Sequence, residues 1–167
     1  MSGSLARLSL ARTLVLGWAL GWLSSCASPP LVDPPTVQLL VLRGDWSPSS
    51  LALDEKLAAA FPDPAAVGLA PIVLDATTLK QWRKTRAEVD AAGLSVLADR
   101  YKGAFGLAIF VAPDTGEPLG CLTALRPEDS FRRDFRRAQR ALRRPPGARP
   151  SGRPCPAAAE ADNAGPF

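Results

Sequence analysis

Three short, nearly unbroken apolar runs constrain this chain most: Val37-Gln-Leu-Leu-Val-Leu42, Ile72-Val-Leu74 and Leu107-Ala-Ile-Phe-Val-Ala112. A strand with one face in water alternates apolar and polar residues, whereas a strand covered on both faces is apolar throughout. Runs of this kind, set apart by stretches long enough for helices, predict a central sheet with helices packed on it. The stretches between them read accordingly. From Ser50 to Phe61, Leu53, Leu57 and Phe61 recur on one helical face, and Pro62-Asp-Pro64 ends the pattern. Residues 78–102 read as two helical pieces meeting near Gly93, with Trp82, Val89, Val96, Leu97 and Tyr101 at the apolar positions. Pro113-Asp-Thr-Gly116 turns the third run into a fourth strand, Leu119–Ala124. Pro127-Glu-Asp opens a last helix with acids in its first turn and Arg in its last, and Phe131, Phe135, Ala138 and Leu142 as its buried stripe. The expectation is an α/β domain over residues 37–144, with a mixed sheet of about four strands flanked by helices. Residues 145–167, rich in Pro, Gly and Ala, read as a disordered tail.

The order strand, helix, strand, helix, strand, hairpin strand, helix is that of a thioredoxin-like fold, and some residues carry the resemblance further. Val41-Leu-Arg-Gly-Asp-Trp-Ser-Pro-Ser-Ser50 resembles the strand and active-site segment of that superfamily, with Asp45-Trp46 where its members place an acid and Trp before Cys-x-x-Cys. Phe61-Pro-Asp-Pro-Ala-Ala-Val67 is similar to the Phe-x-Asp-Pro-x-Val stretch of the periplasmic C-terminal domain of thiol:disulfide interchange proteins, its Val one place late. Asp114-Thr-Gly116-Glu resembles the turn of the terminal hairpin. The departures bear on function. Ser47 and Ser50 stand where the two Cys would be, and a Ser hydroxyl supplies no thiolate for disulfide exchange. No Pro stands near Leu107-Ala108, where the resemblance places the superfamily's cis-proline. The resemblance therefore implies a degenerate active site at Trp46, Ser47 and Ser50, with no catalytic residue and no cofactor. Ser47 and Ser50 then read as helix N-caps. Trp46 reads either as a wall of a peptide groove shared with Leu107 or as core packing.

The N-terminus supplies an address. Arg7 and Arg12 precede an apolar run, Thr13–Leu23, of eleven residues. As a helix it would be about 16 Å long, far short of a ~30 Å hydrocarbon core, which suits a signal peptide and not a span. It ends in Leu23-Ser-Ser-Cys26, which resembles the lipobox of bacterial lipoproteins. That resemblance implies a leader over residues 1–25, lipidation of Cys26 and a membrane-anchored protein of the bacterial envelope. Ala27 after the Cys implies the outer membrane, facing the periplasm. Residues 26–36, with four Pro, read as a tether.

The absence of His excludes imidazole-based nucleophile activation and His metal ligation. Cys26, Cys121 and Cys155 are too few for a four-cysteine metal site, and no metal is expected. Cys121 reads as a buried apolar side chain in a strand; Cys155 has Cys121 or another molecule as its alternatives. Charge is uneven: residues 126–167 hold 10 Arg against 5 acids, while residues 31–125 hold 8 Lys/Arg against 11 acids. Arg136, Arg137, Arg140 and Arg143 read as an anion-binding face or as a solvated helix surface. Nucleic acid suits the charge but not the exported address. The leading expectation is a lipid-anchored, redox-inactive binding or scaffolding module with an envelope protein or peptide partner. The alternative is a thiol-disulfide oxidoreductase-related enzyme using Cys121, Cys155 or a Cys-bearing partner.

Overall fold

In a computed structural model, residues 35–150 together with 155 and 156 are described. The leader, Cys26 and the tether as far as residue 34 lie outside the described residues, as do 151–154 and 157–167. The elements are β1 (Val37–Arg43), α1 (Pro48–Ala60), a 3-10 turn (Ala65–Val67), β2 (Leu69–Asp75), α2 (Leu79–Ala91), α3 (Ser95–Arg100), β3 (Leu107–Val111), β4 (Pro118–Thr123) and α4 (Glu128–Leu142).

The strands lie in the order β2-β1-β3-β4. β1 and β2 are parallel, from Val37 opposite Leu69 to Arg43 opposite Asp75. β3 runs antiparallel to β1, and β4 antiparallel to β3. Four helices flank this mixed sheet, giving the α/β arrangement that the apolar runs predict, consistent with the thioredoxin-like fold that the resemblance implies.

Strand periodicity divides the core in two. Val37, Leu39 and Val41 of β1, with Ala108 and Phe110 of β3, pack against Leu53 and Phe61 at α1 and Phe131, Phe135 and Ala138 of α4. Leu40 and Leu42, with Leu107, Ile109 and Val111, face Val89, Leu94, Leu97 and Tyr101 from the segment of α2 and α3. Both faces of β1 and β3 are thereby covered, which is why these strands are apolar throughout. On the first face Phe135 meets Phe61 edge-on at 5.3 Å and Phe110 at 5.9 Å, pairs worth about 0.5–1.5 kcal/mol each beyond their buried area.

Three details depart from the periodicity. Val96, read as an apolar contact, is 77% exposed. Gly93 takes φ +73° and breaks the helix, so the phase restarts: Leu94, Leu97, Ala98 and Tyr101 point inward at spacings of three and four, and Val96 points out. In β4 the register with β3 slips, Phe110 facing Gly120 but Val111 facing Pro118. Leu119 is the extra residue of this bulge, so Leu119 and Leu122 reach the same core while Cys121 faces the other. The third detail is at the C-terminus. Residues 145–150, part of the stretch read as disordered, return to the domain, where Arg149 donates to the carboxylate of Asp114 in the β3–β4 turn. Cys155 forms a disulfide with Cys121, Cα to Cα 5.3 Å across a separation of 34 residues, and packs against the α2–α3 core. Composition alone misses these ties because each depends on a partner distant in sequence.

Candidate functional site

β1 and β2 end, β3 begins and β4 ends at the same end of the sheet, and α1, α2 and α4 start there. Backbone contacts lace these loops together. The Gly106 N–H donates to Leu42 O at 3.0 Å, Ala76 N–H to Arg43 O at 2.9 Å, and Ser47 N–H to Gly44 O at 2.9 Å. Asp45 N–H donates to Thr77 Oγ1 at 2.9 Å. The candidate site is the tip of this scaffold, built around residues 44–50.

Ser47 caps α1, its hydroxyl oxygen accepting from Ser50 N–H at 3.4 Å, and Pro48 follows at a position whose N–H the helix does not use. Ser50, also read as a cap, does something different. It lies one turn inside α1, and its Oγ accepts the Gly44 N–H at 3.2 Å, closing the turn onto the helix. Both serines are buried. Their hydroxyls are thus engaged in holding backbone, with no imidazole anywhere in the chain to activate them.

Trp46 is not core: it is 61% exposed. Its indole lies over Gly44, where a Cβ would stand 3.0 Å from Cε2 and Nε1, and meets Phe105 edge-on at 4.6 Å between ring centres. Gly44 therefore clears the space, and Phe105 props the ring from the β3 side. Leu51 in the first turn of α1, Leu79 at the start of α2 and Leu125 after β4 are also exposed. With Trp46 they make up four of the six large apolar side chains exposed among the described residues, and all four leave the same end of the sheet.

Leu107 requires a correction. Read as the groove partner of Trp46, it is fully buried and belongs to the core under α2 and α3. The residue that abuts the serine segment is Gly106, at φ +75°. A Cβ there would lie 2.6 Å from Ser49 Cβ and 2.7 Å from Ser49 C, so only glycine admits this approach of β3 to α1.

Beside the tip, Arg43 pairs with Asp45 and lies 3.4 Å from Asp54. Burial pushes the Asp54 carboxyl up and Arg43 opposes the shift, while hydrogen bonding to Asp45 raises Arg43. Arg43 and Asp54 border an apolar hollow of about 190 Å³ between α1 and β2, lined by Leu39, Leu57, Phe61, Leu69 and Val73. It falls below the roughly 300 Å³ at which small-molecule pockets begin. Among the described residues, no three His, Cys, Asp or Glu side chains group to hold a metal.

The Arg residues of α4 separate by role. Arg132 donates to Ala60 O at 2.9 Å and Ala59 O at 3.2 Å, satisfying carbonyls at the end of α1. Arg126, preceding the helix, pairs with Asp134 at 2.6 Å in a largely buried contact, which Arg137 joins at 3.3 Å. Arg136, Arg140 and Arg143 are exposed, and among the described residues none pairs with a carboxylate. Cys121 is buried in mid-strand, away from any helix N-terminus, and the structure selects Cys155 as its partner. Sequence reasoning missed Phe105, Gly106, Leu51, Leu79 and Leu125, and only the turn chemistry of Phe105-Gly106 before an apolar run offered a local signal. Comparison with protein-family models, with curated proteins and with solved structures finds no match to the chain.

Proposed function

We propose that this chain is a lipid-anchored, redox-inactive, thioredoxin-like binding module of the bacterial envelope, and that it takes an extended peptide or protein segment across Trp46. The observation that carries this reading is the exposed Trp46, propped by Phe105 over Gly44, on a tip that also presents Leu51, Leu79 and Leu125. Exposed aromatic anchors on a rigid scaffold characterise binding surfaces. Ser47 and Ser50 support a binding role and not a catalytic one, since their hydroxyls hold the loop. The lipid anchor rests on the Leu23-Ser-Ser-Cys26 resemblance.

The test is binding of a library of extended peptides to the wild-type chain and to Trp46→Ala. Hot-spot aromatics contribute about 2 kcal/mol or more, so affinity is expected to fall at least tenfold with the fold intact. Selected peptides that bind both proteins equally would show that Trp46 is not the anchor.

One observation favours a second reading, an oxidoreductase-related enzyme: Cys121 and Cys155 do form a disulfide. Cys121 is buried in mid-strand and not at the helix N-terminus that lowers a thiol pKa at catalytic sites, and the nearby Arg126 is engaged by the Cys121 carbonyl at 3.3 Å and by Asp134. Turnover of a protein disulfide by the full chain with a thiol reductant, lost on Cys121→Ser, is the outcome that reading requires.

A further inference from the structure

We infer that the outward face of α4 is a docking surface for an anionic phospholipid bilayer. At 3.6 residues per turn, Arg133, Arg136, Arg137 and Arg140 fall within about a third of the circumference of α4, over about 10 Å of its length, and Arg143 at the C-cap and Arg144 just beyond it extend the run. All six are exposed, and Phe131, Phe135 and Ala138 occupy the opposite, buried side. Arg137 shares Asp134 with Arg126; the other five pair with no carboxylate among the described residues. Like charges at spacings of three and four repel along a helix, and Arg133, Arg136, Arg140 and Arg143 repeat that spacing with no ion pair among the described residues. The helix dipole accounts for cations in the last turn, near Arg140, but not for Arg133 in the N-terminal half.

The shape and chemistry of the face select the occupant. No apolar side chain interrupts the arc, so it lacks the buried anchor on which a folded protein partner relies. α1 packs beside α4 in the same layer, so α4 offers the flank of a broad layer and not a lone ridge suited to a nucleic-acid groove. A layer of mobile headgroups meets such a face one guanidinium at a time, and Arg binds phosphate through paired donors. The choice of a bilayer also rests on the reading of residues 1–26 as a lipid-anchoring leader; the cationic arc itself does not. With α4 against the membrane, the Trp46 tip stays open at the end of the sheet.

The test uses the full chain with Cys26→Ser, which removes acylation, so that failure of the anchor and failure of this inference are separable. Partition constants are measured by lipid titration onto vesicles of phosphatidylcholine alone and onto vesicles with about 30% phosphatidylglycerol, which supplies the anionic surface. A second protein adds Arg136→Gln, Arg140→Gln, Arg143→Gln and Arg144→Gln, leaving Arg132 and Arg137 to their contacts. Residues 1–25, with Arg7 and Arg12, raise the anionic-to-neutral ratio of both proteins alike and cancel when the two ratios are compared. Each Arg near an anionic surface is worth about fivefold, so the four changes are expected to lower that ratio about a hundredfold or more. Gln is a good helix former, and far-ultraviolet dichroism checks that α4 persists. Should the variant unfold, added salt on the parent protein serves instead, with the ratio expected to collapse toward one by about 0.5 M. A ratio near one for the parent, a ratio unchanged by the four substitutions, or binding to duplex DNA or a soluble acidic polymer in preference to anionic vesicles would overturn the inference.

Discussion

At the scale of single residues, the tip depends on side chains that hold its backbone. Ser47→Ala removes the cap of α1 and is expected to lower stability by about 1 kcal/mol. Ser50→Ala leaves the Gly44 N–H without its acceptor and is expected to cost about 1–3 kcal/mol. Gly106→Ala combines positive φ with a collision against Ser49 backbone and is expected to cost about 2–4 kcal/mol. Urea denaturation of the three variants orders these effects. Gly106→Ala coming out as mild as Ser47→Ala would show that β3 does not press on α1 as described. By contrast, Trp46→Ala loses one edge-on aromatic contact, so its stability change should stay below about 1.5 kcal/mol and its effect should appear in binding.

Between elements, the ties that matter are those joining the C-terminal segment to the β3–β4 hairpin. The Cys121–Cys155 disulfide closes a loop of 34 residues, for which chain entropy predicts about 3–4 kcal/mol of stabilisation. Cys155→Ser, or reduction, is expected to lower the denaturation midpoint accordingly. In the oxidised protein neither thiol should react with a thiol-specific reagent. Arg149 hydrogen-bonds Asp114 and holds its carboxyl below the ordinary Asp value. A carboxyl depressed in the folded state contributes stability above its unfolded pKa and loses that contribution as pH falls through the folded one. Acidification below about pH 4, the unperturbed range of Asp, is therefore expected to lower the hydrogen-exchange protection of residues 147–149 relative to their intrinsic rates, and Asp114→Asn to lower that protection already at neutral pH. Protection in wild type that is flat with pH would show that the ion pair does not hold this segment.

Across the whole molecule, the two proposed binding surfaces are separate. The tip at the end of the sheet carries Trp46, Leu51, Leu79 and Leu125; the outer face of α4 carries the unpaired Arg side chains. They lie on different sides of one rigid scaffold, so their effects should be independent. Neutralising the α4 face is expected to leave peptide affinity at the tip within about twofold, as for distant sites that share no partner. Titrating one peptide into wild type, Trp46→Ala and the four-Arg variant decides it, and a tenfold loss in the Arg variant would merge the two surfaces into one.

How much of this was legible follows from which interactions are local. Val37–Leu42 and Leu107–Ala112 announce strands covered on both faces because burial writes itself into every residue of a run, and Phe131, Phe135 and Ala138 announce α4 through a spacing local to the helix. Trp46, Ser47 and Ser50 were legible as a group because they adjoin one another in the chain. Their neighbours were not. That Gly106 and not Leu107 meets Ser49, and that Phe105 props Trp46, follows from the antiparallel register of β3 with β1, which fixes which side chains face inward. The pairing of Cys121 with Cys155 depended on the β3–β4 register, which sets Cys121 opposite Ile109 on the face toward the α2–α3 core where Cys155 packs. By itself the sequence determined the element order, the two-sided core and the cationic face of α4, since each is set by periodicity within one segment. Only tertiary structure decided which apolar groups remain exposed together at the tip and which cysteines meet, because those contacts join residues far apart in the chain through strand register and packing.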